Sequence, residues 1–187
     1  MNLPQPKFHL LSGVPASALP RLLGALAAAA ALLYSAAVLA SEYTDIQGLA
    51  SSGNAKAALA RADKSIAANP RDPQLKFLKG VIQSDAGMKV EAEQTFLALT
   101  RQYPELPEPY NNLAAIYAQL NQYDKARESL EMAVRLNPGY AVAHENLGDV
   151  YARLAAEAYA RSRQLDPANP KLPLKLAQIR ELLAPKP

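Results

Sequence analysis

The sequence predicts an all-α chain in which short helical hairpins stack one on the next, and three phased observations predict it. Pro70, Pro104 and Pro138 recur at a step of 34 residues (104 − 70 and 138 − 104). Proline ends a helix because it has no amide hydrogen and its ring clashes with the preceding turn. Gly53, Gly87 and Asn121 keep the same step, and all three tolerate the left-handed backbone that closes a helix. The small residues Ala58, Ala92 and Ala126, which open the second helix of each unit, follow it too. Between these marks the apolar residues fall at helical spacing. In 107–140, Tyr110, Leu113, Ala114 and Tyr117 form one stripe, and Ala126, Leu130, Ala133 and Val134 form a second across the turn at Asn121. Each stripe is too large for one hairpin to bury alone, so further copies must lie beside it.

A period of 34 residues with a helix–turn–helix in every unit resembles the tetratricopeptide repeat family, over about two thirds of the chain. The residues that match are Tyr110, Leu113-Ala114, Tyr117, Asn121 in place of the usual Gly, Tyr123, Ala126, Leu130, Ala133 and Pro138. The resemblance implies a right-handed superhelix, an α-solenoid of three to four repeats with a C-terminal capping helix. A hydrophobic N-terminal signal or anchor helix precedes it.

Residues 1–40 come first. Leu22 to Ala40 holds no charged residue, and Val38-Leu39-Ala40 places small residues where a signal peptidase reads. The segment is expected to be a signal peptide cleaved after Ala40, leaving a periplasmic or secreted protein. The alternative is a retained inner-membrane anchor with the repeats in the periplasm, since 19 uncharged residues come close to spanning a bilayer.

The repeat domain is expected over 41–183. Its first unit, about 41–72, is the weakest. Gly53, Ala58, Ile66 and Pro70 hold the frame, but Glu42 and Asp45 replace large apolar residues, which suits an end cap. The unit 73–106 is clear. Phe77, Leu78, Gly80, Val81 and Ile82 build its first helix, and Ala92, Phe96, Leu97 and Leu99 its second. Gly80 stands where a side chain would push neighbouring helices apart; Lys79, where Leu is usual, departs from the pattern. The third unit is 107–140. In the fourth, 141–169, the period breaks, because Pro167 follows Pro138 by 29 residues (167 − 138) and the segment from Tyr151 to Tyr159 has no turn former. One long helix, or a barely bent pair, is predicted from about Ala141 to Leu165, with Leu147, Tyr151, Leu154, Ala158 and Leu165 on one face. Gly148 is expected to be as tightly packed as Gly80, so that leucine there would cost about 1–3 kcal/mol. A cap helix follows at 172–183, with Leu174, Leu176, Ile179 and Leu183 buried, and 184–187 form a disordered tail.

Bulk chemistry argues against catalysis. The chain has no cysteine, which removes disulfides, thiol catalysis and lipid attachment through an N-terminal Cys. Its net charge of +3 falls to +1 beyond residue 40 (18 basic, 17 acidic), with the signs interspersed, so no nucleic-acid partner is expected. The two histidines are His9, in the leader, and His144, at a packing position where a half-buried structural histidine is expected. His144, Glu145 and Asp149 do not point at one ion, because Asp149 is five residues from His144. Ser51-Ser52-Gly53 is a turn with no strand before it, unlike a nucleophile elbow. No enzyme activity, metal or cofactor is expected.

What remains is a surface. In the family that the chain resembles, the first helix of each unit lines a concave groove. Carried onto this chain, the groove positions are Gln74, Phe77, Val81, Ser84 and Asp85, then Glu108, Asn111, Asn112, Ala115 and Gln119, then Val142, Glu145, Asn146, Asp149 and Arg153. Asn112 and Asn146 occupy matching places, and their amides could bind a peptide backbone or only serve their own helices. Phe77 and Val81 stand where the charges of a carboxylate clamp would begin, so that ligand class is not expected. The reading is a non-catalytic scaffold for a protein or peptide partner in the cell envelope, touching membrane only through an uncleaved N-terminal segment. A self-associating module and an accessory subunit of a separate envelope enzyme are the alternatives.

Overall fold

The computed structural model of the chain describes residues 41–184. The signal-or-anchor segment and residues 185–187 lie outside the described residues. The chain divides into two compact units between Asp45 and Ile46. Residues 41–45 of the first are helical. The second opens with helical residues 46–51 (α1) and continues through α2 (Ala55–Ala68), α3 (Pro73–Asp85), α4 (Lys89–Gln102), α5 (Pro107–Gln119), α6 (Tyr123–Leu136), α7 (Ala141–Leu165) and α8 (Leu172–Leu183). No strand occurs among the described residues.

Local chemistry sets the helix limits. Asp72 accepts hydrogen bonds from the backbone amides of Gln74 (2.8 Å) and Leu75 (3.3 Å), which have no carbonyl partner in the first turn of α3. Pro73 follows at a position where no amide hydrogen is needed. At the hairpin turns, Gly53, Gly87 and Asn121 adopt φ of 79°, 75° and 57°. The same closing bond then forms three times: Asn54 N to Leu49 O, Met88 N to Gln83 O and Gln122 N to Tyr117 O. A single left-handed residue thus reverses the chain in each hairpin.

From α2 onward each helix packs on the next, and α3, α5 and α7 also touch in sequence, forming a layer of first helices. This is the arrangement of a solenoid, in which a unit meets only its neighbours. The seams are made of methyl groups. Ala58, Ala62, Ala92, Ala126, Ala133 and Ala143 are wholly buried, around the larger Leu75, Phe96, Leu99, Ile116 and Leu130. Gly80 is needed where α3 meets α4, since a Cβ there would lie 2.7 Å from the Phe96 ring.

Five expectations fail, for identifiable reasons. As the proline spacing predicts, Ala141–Leu165 is one helix of 25 residues, so no second helix folds back over its first half. Gly148 therefore has nothing within 4 Å of a Cβ, and His144 is exposed, its Nε2 3.0 Å from Pro138 O. For the same reason the covered stripe of α7 runs through Ala143, Leu147, Val150 and Leu154, while Tyr151, Ala158 and Leu165 are exposed. On α8, Leu172 replaces Leu174 in the buried pair with Leu176, and Leu174 faces outward. The fifth concerns Phe77, half-buried with its ring centroid 5.7 Å from that of Phe96. It packs its own hairpin, because Gly80 one turn later leaves the Phe96 ring open to it.

Candidate partner-binding cleft

Two clefts, each of about 440 Å³, repeat one design along the solenoid. The first lies between α5 and α7 and ends at the α5–α6 turn. Ala115 and Gln119 line it from α5, and Asn146, Asp149 and Arg153 from α7. Its apolar floor includes Ala114, Ala118, Leu130 and Val150, and Asn121 and Tyr123 close one end. The second lies between α1 and α3, with Gln47 and Ser51 on one wall and Val81 and Asp85 on the other. Residues 47, 81, 115 and 149 are each 34 apart, as are 51, 85, 119 and 153. The same two positions of each first helix, one turn apart, thus face a cleft.

Gln119, Asp149 and Arg153 are exposed. Asp149 and Arg153 bring opposite charges to one wall at i,i+4 spacing, and their side chains form no ion pair with each other. Asn146 is anchored instead. Its Nδ2 donates to Asn111 Oδ1 at 2.9 Å, tying α7 to α5 beneath the cleft. That bond leaves the Asn146 carbonyl oxygen as an acceptor for a ligand amide.

The other named positions behave differently. Asn111 is buried and serves Asn146, so it positions the cleft and does not line it. Asn112 donates to Glu108 O at 2.9 Å within its own helix and is not on the cleft wall. Gln74, Glu108, Val142 and Glu145 are exposed outside both clefts, and Ser84 is half-buried. Sequence reasoning missed Gln47 and Ser51, which subtracting 34 from Val81 and Asp85 would have found. It also read Asn121 only as a turn residue and Tyr123 only as a match to the repeat pattern; the Tyr123 hydroxyl donates to Asn121 Oδ1 at 2.7 Å at the cleft's end.

Charged chemistry elsewhere is structural. Glu131 accepts from Arg127 Nη1 (2.9 Å) and from the Tyr151 hydroxyl (3.1 Å), clasping α6 to α7. Its carboxyl is held below the usual range, chiefly by the Arg127 hydrogen bond, and the Tyr151 phenol is pushed up by its bond to Glu131. Among the described residues no group of three or more His, Asp or Glu side chains is placed to hold a metal, and no helix is long and apolar enough to cross a membrane.

Profiles of the tetratricopeptide repeat match residues 46–107 and 107–140, together half of the chain. The chain belongs to the tetratricopeptide repeat family. Among its curated tetratricopeptide relatives is PYG7, a chloroplastic repeat-domain protein of Arabidopsis thaliana, 39% identical over 70 residues (35% of this chain, 23% of that protein). Another is small glutamine-rich tetratricopeptide repeat-containing protein 2 of Mycosarcoma maydis, 29% identical over 111 residues (57% and 31%). The chain thus spans about a quarter to a third of the length of the curated relatives it matches. Among solved structures it resembles YrrB, described as a tetratricopeptide protein with an unusual peptide-binding site (27% identity, TM-score 0.51, 56% of this chain and 54% of that one). At 21% identity the fold alone is shared with MamA of Desulfovibrio magneticus (TM-score 0.57, 75% and 82%). The same holds at 17% for the first repeat domain of RPAP3 bound to an HSP90 peptide (TM-score 0.57, 62% and 91%).

Proposed function

We propose that this tetratricopeptide repeat protein is a non-catalytic adaptor that holds an extended segment of a partner protein in the α5–α7 cleft. One observation supports this above the others: exposed, unpaired Gln119, Asp149 and Arg153 stand over a floor of alanine, leucine and valine. Amide-bearing and charged groups at the rim can fix a peptide backbone and its flanking charges. The small floor accepts short apolar side chains. Because α5 and α7 are held by the Asn146–Asn111 bond, the surface exists before the ligand arrives, which lowers the ordering cost on the protein's side. Peptide binding by YrrB and RPAP3 supports the class of ligand. The uncharged run from Leu22 to Ala40 supports placement in the cell envelope, with the repeats in the periplasm.

A photoreactive residue at Gln119 tests the binding mode, with one at exposed Glu128 on α6 as the control. A partner captured from Gln119, absent from Glu128 and lost when Asp149→Lys and Arg153→Glu are introduced, is the expected result. Equal capture from both positions would reject the cleft. Protease digestion of intact and permeabilised cells tests placement: repeats cut only after the inner membrane is opened would reject the envelope reading.

A further inference from the structure

The fourth hairpin is complete in its residues and incomplete in its fold. Its first-helix marks are His144, Leu147, Gly148 and Tyr151, and its second-helix marks are Ala155, Tyr159, Ser162 and Pro167. The latter keep steps of 4, 3 and 5, as do Ala92, Phe96, Leu99 and Pro104 in the second hairpin and Ala126, Leu130, Ala133 and Pro138 in the third. Five residues are missing between the halves (34 − 29), where the others turn. Both halves therefore run on as α7, and a straight helix cannot fold onto itself.

The face that a first helix turns toward its own second helix is accordingly open around Gly148 and Tyr151, with buried Ala152 at its edge. Tyr117 in the third hairpin is 8% exposed, whereas Tyr151 at the same position is 47% exposed. Gly80 has the Phe96 ring 2.7 Å from its Cβ position, and Gly148 has nothing within 4 Å. Tyr159, the counterpart of Phe96, is half-buried: α8 lies on one flank, with Lys175 Nζ 5.1 Å from the ring centre.

Gly148 and Tyr159 are 11 residues apart (159 − 148), about three turns, so they share one face of α7. An antiparallel second α7 that lays its Tyr159 on Gly148 must, by symmetry, receive the first copy's Tyr159 on its own Gly148. The two-fold axis then passes between residues 153 and 154. We propose that the chain forms a two-fold dimer in which the second half of each α7 completes the broken fourth hairpin of the other copy. Tyr159 of one copy seats on Gly148 of the other as Phe96 seats on Gly80. The occupant is a second copy because this chain itself holds the missing helix's marks, in register with the open face. The docked helix also stands where α4 stands over α3 and α6 over α5, each second helix packed on its own first helix. A short or absent hinge favours such exchange, since the closed hairpin is unavailable within one chain. Asp149 and Arg153 sit about 100° and 140° round the helix from Gly148, so the cleft stays open.

The chain has no cysteine, which permits a direct test in full-length protein. In Gly148→Cys/Tyr159→Cys the thiols lie about 16 Å apart along one helix, too far to bridge within a chain. Mild oxidation is expected to give a covalent dimer on a non-reducing gel. Asp149→Cys/Ala160→Cys, with the same spacing on a face turned by about 100°, is expected to give none. Gly148→Arg, whose Cβ meets nothing in its own chain, is expected to leave the helical signal unchanged and reduce the sedimenting mass from two chains to one. A wild-type mass of one chain at every concentration, equal crosslinking of the two cysteine pairs, or a dimer that survives Gly148→Arg would each overturn the proposal.

Discussion

Replacing Gly80 and Gly148 in turn by alanine separates close packing from helix propensity. Both glycines lie inside helices, so alanine gains about 1 kcal/mol of propensity at either site. At Gly80 the new methyl would sit 2.7 and 2.9 Å from two atoms of the Phe96 ring. That ring is 0% exposed and is flanked by Phe77, so it must move within a filled core. Overpacking of this kind costs about 1–3 kcal/mol. At Gly148 no such term exists. Gly148→Ala should therefore stabilise by about 1 kcal/mol, and Gly80→Ala should range from neutral to about 2 kcal/mol destabilising. The gap of about 1–3 kcal/mol corresponds to several degrees of melting temperature at this chain size. Urea and thermal unfolding followed by circular dichroism, at concentrations where sedimentation shows single chains, measure it. Equal shifts for the two variants would refute the assignment of Gly80 as the contact point and of Gly148 as the open one.

Two further outcomes follow from the same geometry. Asn121 holds φ of 57° where the equivalent turns use glycine; Asn121→Ala should cost about 1–2 kcal/mol in urea unfolding, and Asn121→Gly should be far milder. Burial pushes the Tyr117 phenol above its ordinary value, with the charge of Glu93 adding to the shift. The fold therefore favours the neutral phenol. This stabilisation is present below the unfolded pKa of about 10 and is lost as pH rises through the higher folded value. Melting temperature should hold steady near neutrality and fall above about pH 10, less steeply in Tyr117→Phe; an identical alkaline decline would count against the assignment.

Features imposed by one residue on its own backbone were legible without coordinates. Gly53, Gly87 and Asn121 are the three positive-φ positions among the described residues, and the helices end just before Pro70, Pro104 and Pro138. The fused α7 could be read from the shortened proline spacing for the same reason. What could not be read was burial that depends on a partner helix. Gly80 and Gly148 are the same residue at the same phase, and only the presence of α4 over one and of nothing over the other distinguishes them. The cleft was half legible. Ala115, Gln119, Asp149 and Arg153 follow from phase, whereas Asn111 and Asn112, adjacent in sequence, were separated only by the bond from Asn146 and the turn of the helix.

The methyl-lined seams also govern where the molecule yields. Alanine has no side-chain rotamers to lose, so every buried Ala58, Ala92 or Ala126 joins two helices without freezing a torsion beyond the backbone. It also removes little oily area from water, which leaves each joint weak in isolation and dependent on the joints either side. Opening should therefore begin at the outermost helices and move inward like a zip, with the amides of α5, flanked on both sides, the last to exchange their hydrogens with solvent.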